Sequence, residues 1–301
     1  TMTLDAIDLS VIRRDTAHRM VRFSNNPLLP VALQMESFIK DYPYGCTEQR
    51  VSKAMSFIAL NELRDLLKLE LNATYDEQIV ETIDFISTVT TSDGLVAFWP
   101  GSKGYVHLTA RVLRFLAAAR MAGFDVDPMV IHPLKEALQD ALRSNSNALY
   151  SRYKSAERSM ALEALYLVGD TQTAYLEEMS RRLDTFGLES RARIIRLLHS
   201  HHELESSHLQ NLIQGLLDDI NFETIDGVLT ATSMDAGRFT RSFRVLLTSY
   251  TAMTEVARTL HQVDPDNPHI GALERGLANR LSSGHMTTYN AANLVQFIRD
   301  R

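Results

Sequence analysis

From residue 28 onward, apolar residues recur at helical spacing in segment after segment, and little interrupts them. Only 13 Gly and 8 Pro occur in 301 residues. Strands and tight turns draw on both types, so their scarcity selects long helices. Residues 48–71 place Val51, Met55, Ile58, Leu63, Leu66 and Leu67 on roughly one helical face, and 75–89 do the same with Ile79, Ile83 and Ile86. The spacing predicts further helices at about 28–40, 106–121, 127–143, 155–168, 172–184, 188–201, 206–219, 241–260, 268–281 and 288–299. Gly123, Gly169 and Gly187 stand where a left-handed helix cap is wanted. Phe222, Ile225, Val228 and Leu229 around Asp226-Gly227 predict a small β-hairpin within 222–240. In 1–27, Ile7-Asp8-Leu9-Ser10-Val11 alternates like a short strand and Asn25-Asn26-Pro27 breaks it. The reading is all-α: about twelve helices as six consecutive hairpins, in a closed double ring or an open solenoid. The 106–121 helix carries small and apolar residues around most of its girth, which suits an inner ring packed on two sides.

Composition narrows the class. With 31 Lys+Arg against 37 Asp+Glu the net charge is −6, which argues against a nucleic-acid partner. An apolar share of 45% is ample for a core and argues against disorder. No apolar run approaches the length of a membrane span. The opening Thr1-Met2-Thr3-Leu4 has no charged-then-apolar leader, so the expectation is a cytosolic chain or a leader outside this sequence. The single cysteine, Cys46, permits no internal disulfide and no cysteine-based zinc site. It is either an inert buried thiol or the centre of the chemistry.

The segment around it reads Tyr42-Pro43-Tyr44-Gly45-Cys46-Thr47-Glu48-Gln49-Arg50. At the first turn of a helix, residues three apart share a face, so the Cys46 thiol can reach the Gln49 side-chain carbonyl. Attack with loss of ammonia gives an internal thioester in a ring of about fifteen members, large enough to escape severe strain. A thiolate leaves far more readily than an amide nitrogen, which makes the acyl group an electrophile. The unpaired N–H groups of a helix start would stabilise that thiolate. Gly45 gives the backbone freedom to bring sulfur to the acyl carbon. Tyr42, Pro43 and Tyr44 would wall the bond from water. Glu48 reads either as a helix-start carboxylate or as a polar support for the site.

This string resembles the thioester signature of the alpha-2-macroglobulin and complement family, in its bacterial form. Ala97-Phe98-Trp99-Pro100-Gly101 and Leu108-Thr109-Ala110-Arg111-Val112-Leu113 resemble the family's Trp-Pro-Gly loop and the helix after it, and Glu157-Arg158-Ser159-Met160-Ala161-Leu162 a later helix start. The resemblance implies that 28–301 form a thioester-containing alpha/alpha toroid of six hairpins, with 1–27 a linker or the edge of a flanking β domain. It also implies covalent capture without turnover. After a protease cuts a bait region elsewhere in the full-length protein, a lysine amine of that protease attacks the Gln49 acyl group and Cys46 leaves. The implied function is protease inhibition, with Trp99 a wall near the bond and no cofactor or metal. Implied partners are target proteases, the other domains of the same protein and, by family association only, a peptidoglycan synthase. The implied location is the periplasm or cell envelope, with a lipid anchor outside this sequence. Some complement members carry a histidine that passes the acyl group to hydroxyls. Residues 144–153 hold none, and Val130-Ile131-His132 falls one helix too early, so amines are the expected nucleophiles.

Two other classes remain open. A toroid enzyme would need two carboxylates facing a cleft, for which Asp93 and Glu136 are available. A helical binding scaffold would carry Cys46 as an inert residue. His107 reads as structural and Trp99 as a core aromatic when its loop is considered alone. His199, His201, His202 and His208 with Glu203 and Glu205 lack metal spacing and read as a solvated surface. The methionines at 121, 129, 160, 179, 253 and 286 read as core, and Arg13-Arg14 and Arg181-Arg182 as exposed.

Overall fold

A computed structural model of the protein describes residues 27–67, 69, 73–144, 154–201, 205–234, 249–281 and 286–301. The strand expected at 7–11 and the Arg13-Arg14 pair lie outside these residues. Among the described residues there are twelve α-helices: α1 (Leu29–Asp41), α2 (Thr47–Leu67), α3 (Ala73–Val89), α4 (Val106–Met121), α5 (Pro128–Arg143), α6 (Lys154–Leu167), α7 (Thr173–Ser180), α8 (Leu188–His201), α9 (Ser206–Leu217), α10 (Ser249–Val263), α11 (His269–Leu281) and α12 (Thr288–Asp300). Strands β1 (Val96–Ala97) and β2 (Gly104–Tyr105) pair antiparallel, as do β3 (Ile220–Ile225) and β4 (Val228–Met234).

The even-numbered helices form a closed inner ring. α2 packs on α4, α4 on α6, α6 on α8, α8 on α10, α10 on α12, and α12 returns to α2. The odd-numbered helices lie outside: α1 on α2 and α12, α3 on α2, α5 on α4 and α6, α7 and α9 on α8, α11 on α10. The chain thus alternates between two layers, which is an alpha/alpha toroid of six helical hairpins. The sequence assigns the layers. α12 is buried continuously from Thr288 to Ile298, because inner helices touch neighbours all round. α5 buries only Ile131, Leu134, Ala137, Leu138, Ala141 and Leu142, the single stripe of an outer helix.

The centre of the ring is not apolar. Glu163 receives Arg114 at 3.1 Å and Arg193 at 3.0 Å, and pairs with Arg196 as well. Arg193 also reaches Glu189 at 2.7 Å, and Arg196 reaches Glu255 at 2.8 Å. Removing such charges from water is costly unless each is paired, and shared partners meet that condition here.

Local details follow the turn chemistry, with exceptions. Gly123 and Gly169 adopt φ of +90° and +80°. Phe124 N–H then bonds Ala119 O, and Asp170 N–H bonds Leu165 O, each closing its helix in a Schellman motif. Gly187 does not follow them. It has no positive φ; α7 ends at Ser180 and residues 183–185 tighten into a 3₁₀ turn. Gly187 O accepts the Arg191 N–H and so starts α8 rather than closing a helix. Asp226 and Gly227 both take positive φ, 52° and 78°, forming the two-residue hairpin turn the dipeptide predicts. Leu66 is exposed, because one residue's rotation separates it from the buried Leu67. Met160, Met179 and Met253 are core, whereas Met121 at the end of α4 and Met129 at the start of α5 are exposed, beyond the packed turns.

Candidate functional site

Cys46 begins α2. Its carbonyl accepts the Arg50 N–H at 2.9 Å, the first bond of the helix, which makes Cys46 the cap residue. The backbone N–H groups of Gln49 and Glu48 lie on the Cys46 side of this first turn and favour its ionised form. The Cys46 N–H donates to Gln49 Oε1 at 3.1 Å. This is the returning half of a capping box, in which the third helical residue reaches back to the cap residue's N–H. It folds the Gln49 side-chain carbonyl back over the Cys46 backbone across one turn. Burial pushes the Cys46 thiol above its ordinary pKa; the two N–H groups pull it down and the Glu48 charge pushes it up. The helix start therefore does favour the thiolate, as expected, but desolvation outweighs it.

The surrounding residues divide. Tyr42 is half-buried, and its hydroxyl accepts Gln49 Nε2 at 3.2 Å. Its ring lies 5.4 Å from Phe38 and 5.6 Å from Tyr44. Tyr44 and Trp99 are 69% and 54% exposed, so Trp99 is not a core aromatic. Gly45 has no positive φ. A Cβ there would meet the Arg50 side chain at an ordinary 3.5 Å, and its carbonyl accepts Arg50 Nε at 3.0 Å.

Thr47 and Arg111 add supports of their own, and Glu48 takes the second of its two readings, a polar support. Thr47 donates its N–H to Phe98 O at 3.0 Å and its hydroxyl to Ala97 O at 2.7 Å, fastening the 97–101 loop to the start of α2. Glu48 turns toward the ring interior, where Ser52 and Thr288 donate to its two oxygens and Arg111 lies 3.7 Å away. Arg111 also donates to Ser52 Oγ at 2.7 Å and stacks 3.9 Å over Tyr289. The available signal was Arg111 and Arg114 within the largely apolar girth of α4, since arginine is buried only with partners.

The other candidates have partners of their own or are exposed. His107 pairs with buried Glu157 at 2.9 Å, joining the starts of α4 and α6. Asp93 is exposed in a turn with Thr91, and Glu136 is exposed beside His132. His201 contacts Thr173 Oγ1 at 3.1 Å, His208 is exposed, and His202 and Glu203 lie outside the described residues. Among the described residues no group of His, Cys, Asp or Glu could hold a metal ion. No helix among them is long and apolar enough to cross a membrane. Arg181 and Arg182 are exposed.

No family model matches the chain. An alpha-2-macroglobulin of Xylella fastidiosa is 24% identical over 155 residues, covering 50% of this chain and 9% of that protein. The crystal structure of native Escherichia coli alpha-2-macroglobulin, from domain MG7 to its C-terminus, superposes with a TM-score of 0.70 at 17% identity, over 89% of this chain and 42% of that one. Salmonella alpha-2-macroglobulin reacted with methylamine gives 0.69 at 18% identity, over 90% of this chain and 17% of that one. Trypsin-activated E. coli alpha-2-macroglobulin gives 0.65 at 17% identity, over 86% and 17%. The chain therefore spans a small part of the relatives it matches. At these identities the structures establish the toroid fold, and with the sequence similarity to the Xylella protein they support an alpha-2-macroglobulin-family domain.

Proposed function

We propose that the chain is the thioester domain of a bacterial alpha-2-macroglobulin-like protease trap. The observation that carries this reading is the 3.1 Å hydrogen bond from the Cys46 N–H to Gln49 Oε1, which folds the Gln49 side chain back over Cys46 at the start of α2. Cys46 Sγ attacks Gln49 Cδ, the C–N bond breaks, and ammonia leaves with the thiol proton. The product is an acyl group one nucleophilic step from release. A lysine amine then forms an amide with Gln49 Cδ, the C–S bond breaks, and the proton returns to Cys46 as a free thiol. Each molecule acts once, so this is inhibition and not turnover. The reading gains support from the Salmonella relative solved after reaction with methylamine, a small primary amine, and from the E. coli relative in its trypsin-activated form. Target proteases, joined through lysine, are the proposed partners, together with the rest of the full-length protein. A periplasmic or cell-envelope location with a lipid anchor outside this chain, and a peptidoglycan synthase as partner, rest on the family resemblance alone.

Intact mass tests the reading. A formed thioester makes the chain lighter by one ammonia and hides its single thiol. Methylamine then adds its own mass and frees that thiol. A chain of unmodified mass with a free thiol throughout would leave Cys46 as a helix cap and no more.

A further inference from the structure

The α2 face that carries Gln49 carries a lysine one turn later. Lys53 and Gln49 are four residues apart, the spacing at which helical side chains are neighbours. Both reach the same stretch of chain at the end of α1. Gln49 Nε2 donates to the Tyr42 hydroxyl at 3.2 Å, and Lys53 Nζ donates to the Lys40 carbonyl at 3.1 Å. A groove of about 400 Å³ opens beside Lys53, lined also by Tyr42, Tyr44, Gly45 and Arg50, with Glu77 and Glu81 on α3; Gln49 adjoins it through its hydrogen bond to Tyr42. We infer that Lys53 is a resident nucleophile for the Gln49 acyl group, and that the domain closes an internal 49–53 isopeptide bond when Lys53 leaves the Lys40 carbonyl before an external amine arrives. This rests on the proposed thioester.

The step balances without another reactant. Lys53 Nζ attacks Gln49 Cδ, the Cδ–S bond breaks, and the proton lost by nitrogen appears on Cys46 Sγ. Mass does not change, but the thiol becomes free and the acyl group is spent. Burial lowers the Lys53 pKa against the pull of Asp41, which enriches the neutral, nucleophilic amine. The Lys40 carbonyl then acts as a parking site. While Nζ donates to it, 5.8 Å from the Phe57 ring, the amine is held by those contacts.

The test incubates the freshly purified chain in amine-free buffer and follows thiol release, intact mass and the joined peptides. The expected result is thiol release with no change from the ammonia-deficient mass, and a 49–53 link found by fragmentation. Lys53→Arg cannot form this amide. It should retain the ammonia-deficient mass and methylamine uptake, and release thiol at least about ten-fold more slowly, since an oriented intramolecular amine outcompetes water. Thiol release accompanied by the gain of one water, at equal rates in both chains, would overturn the inference and leave the thioester standing. A fresh chain of unmodified mass with a free thiol would overturn the thioester itself.

Discussion

Glu48 in the first turn of α2 faces Arg111 of α4 at 3.7 Å, and Ser52 hydrogen-bonds both. The residue two places after Cys46 is thereby tied to the charged interior of the ring. Arg111 stands on Tyr289 of α12, while Thr288 of the same helix holds the other Glu48 oxygen. Three inner helices converge on one carboxylate, so the start of α2 is fixed by the closure of the toroid.

Replacing Arg111 with Met should therefore act in two ways. It leaves the largely buried Glu48 without its cation, a change that costs about 3 kcal/mol in comparable buried pairs. It also loosens the turn that positions Gln49. The expected result is a lower urea midpoint together with a smaller ammonia-deficient fraction by mass. Combining it with Glu48→Gln should recover part of the stability, because the uncompensated charge is gone. No recovery in the double variant would show that the pair is not coupled.

The cap and the electrophile can be separated at Cys46. Serine is a favoured cap residue whose hydroxyl can accept the N–H groups of the first turn, so Cys46→Ser should change stability by less than about 0.5 kcal/mol. Cys46→Ala removes the acceptor and should cost about 1 kcal/mol. Both variants should show unmodified mass and take up no methylamine. Thermal melts beside intact mass distinguish the two contributions.

Much of this architecture was legible because helical period and all-round burial are one-dimensional signals. α4 was expected at 106–121 and is found there, and the 106–121 girth pointed to an inner ring. Around Cys46, spacing alone put a thiol and an amide within reach of each other, and the resemblance of the nine-residue string to the family's thioester signature singled them out as the candidate chemistry. What escaped was whatever depends on ring closure. Arg111, Tyr289, Thr288 and Ser52 are far apart in sequence and meet only because α12 returns to α2. Burial of the ion network around Glu163 was hidden for the same reason, since charged residues on a helix normally indicate a wet face. The core reading of Trp99 erred in the opposite direction, because size and apolarity do not say which side of a loop a ring will take.

Tyr42 offers a test of shielding. Its hydroxyl holds the Gln49 amide tip, and its ring packs against Phe38 and Tyr44. Tyr42→Phe keeps the ring and should leave methylamine uptake within a few-fold of the parent. Tyr42→Ala opens the near wall. It should raise the rates of methylamine uptake and of hydrolysis roughly ten-fold, the equivalent of about 1.4 kcal/mol of lost protection. Equal rates in the two variants would place the shield elsewhere.

The ring interior makes stability depend on pH in two opposite windows. Glu189 is pushed up to about 6 from an ordinary 4.5, first by burial and then by the charges of Glu255 and Glu163, against the pull of Arg193. A carboxyl that holds its proton better when folded stabilises the fold fully below pH 4.5 and loses that contribution as pH rises through 6. The difference corresponds to about 2 kcal/mol. Glu189→Gln stays uncharged and keeps an oxygen for Arg193, so it should be the more stable chain at pH 7 and lack the decline between pH 4.5 and 6. Glu163 behaves in reverse. Burial alone would raise it, but Arg114, Arg196 and Arg193 together hold it well below the usual carboxylate range. Its contribution is present above 4.5 and lost as pH falls further, so Glu163→Gln should be destabilised at pH 7 and flatter under acid. Urea midpoints of the three chains from pH 3 to pH 8 decide this. Parallel curves for parent and Glu189→Gln would mean that Glu189 is already ionised in the folded ring.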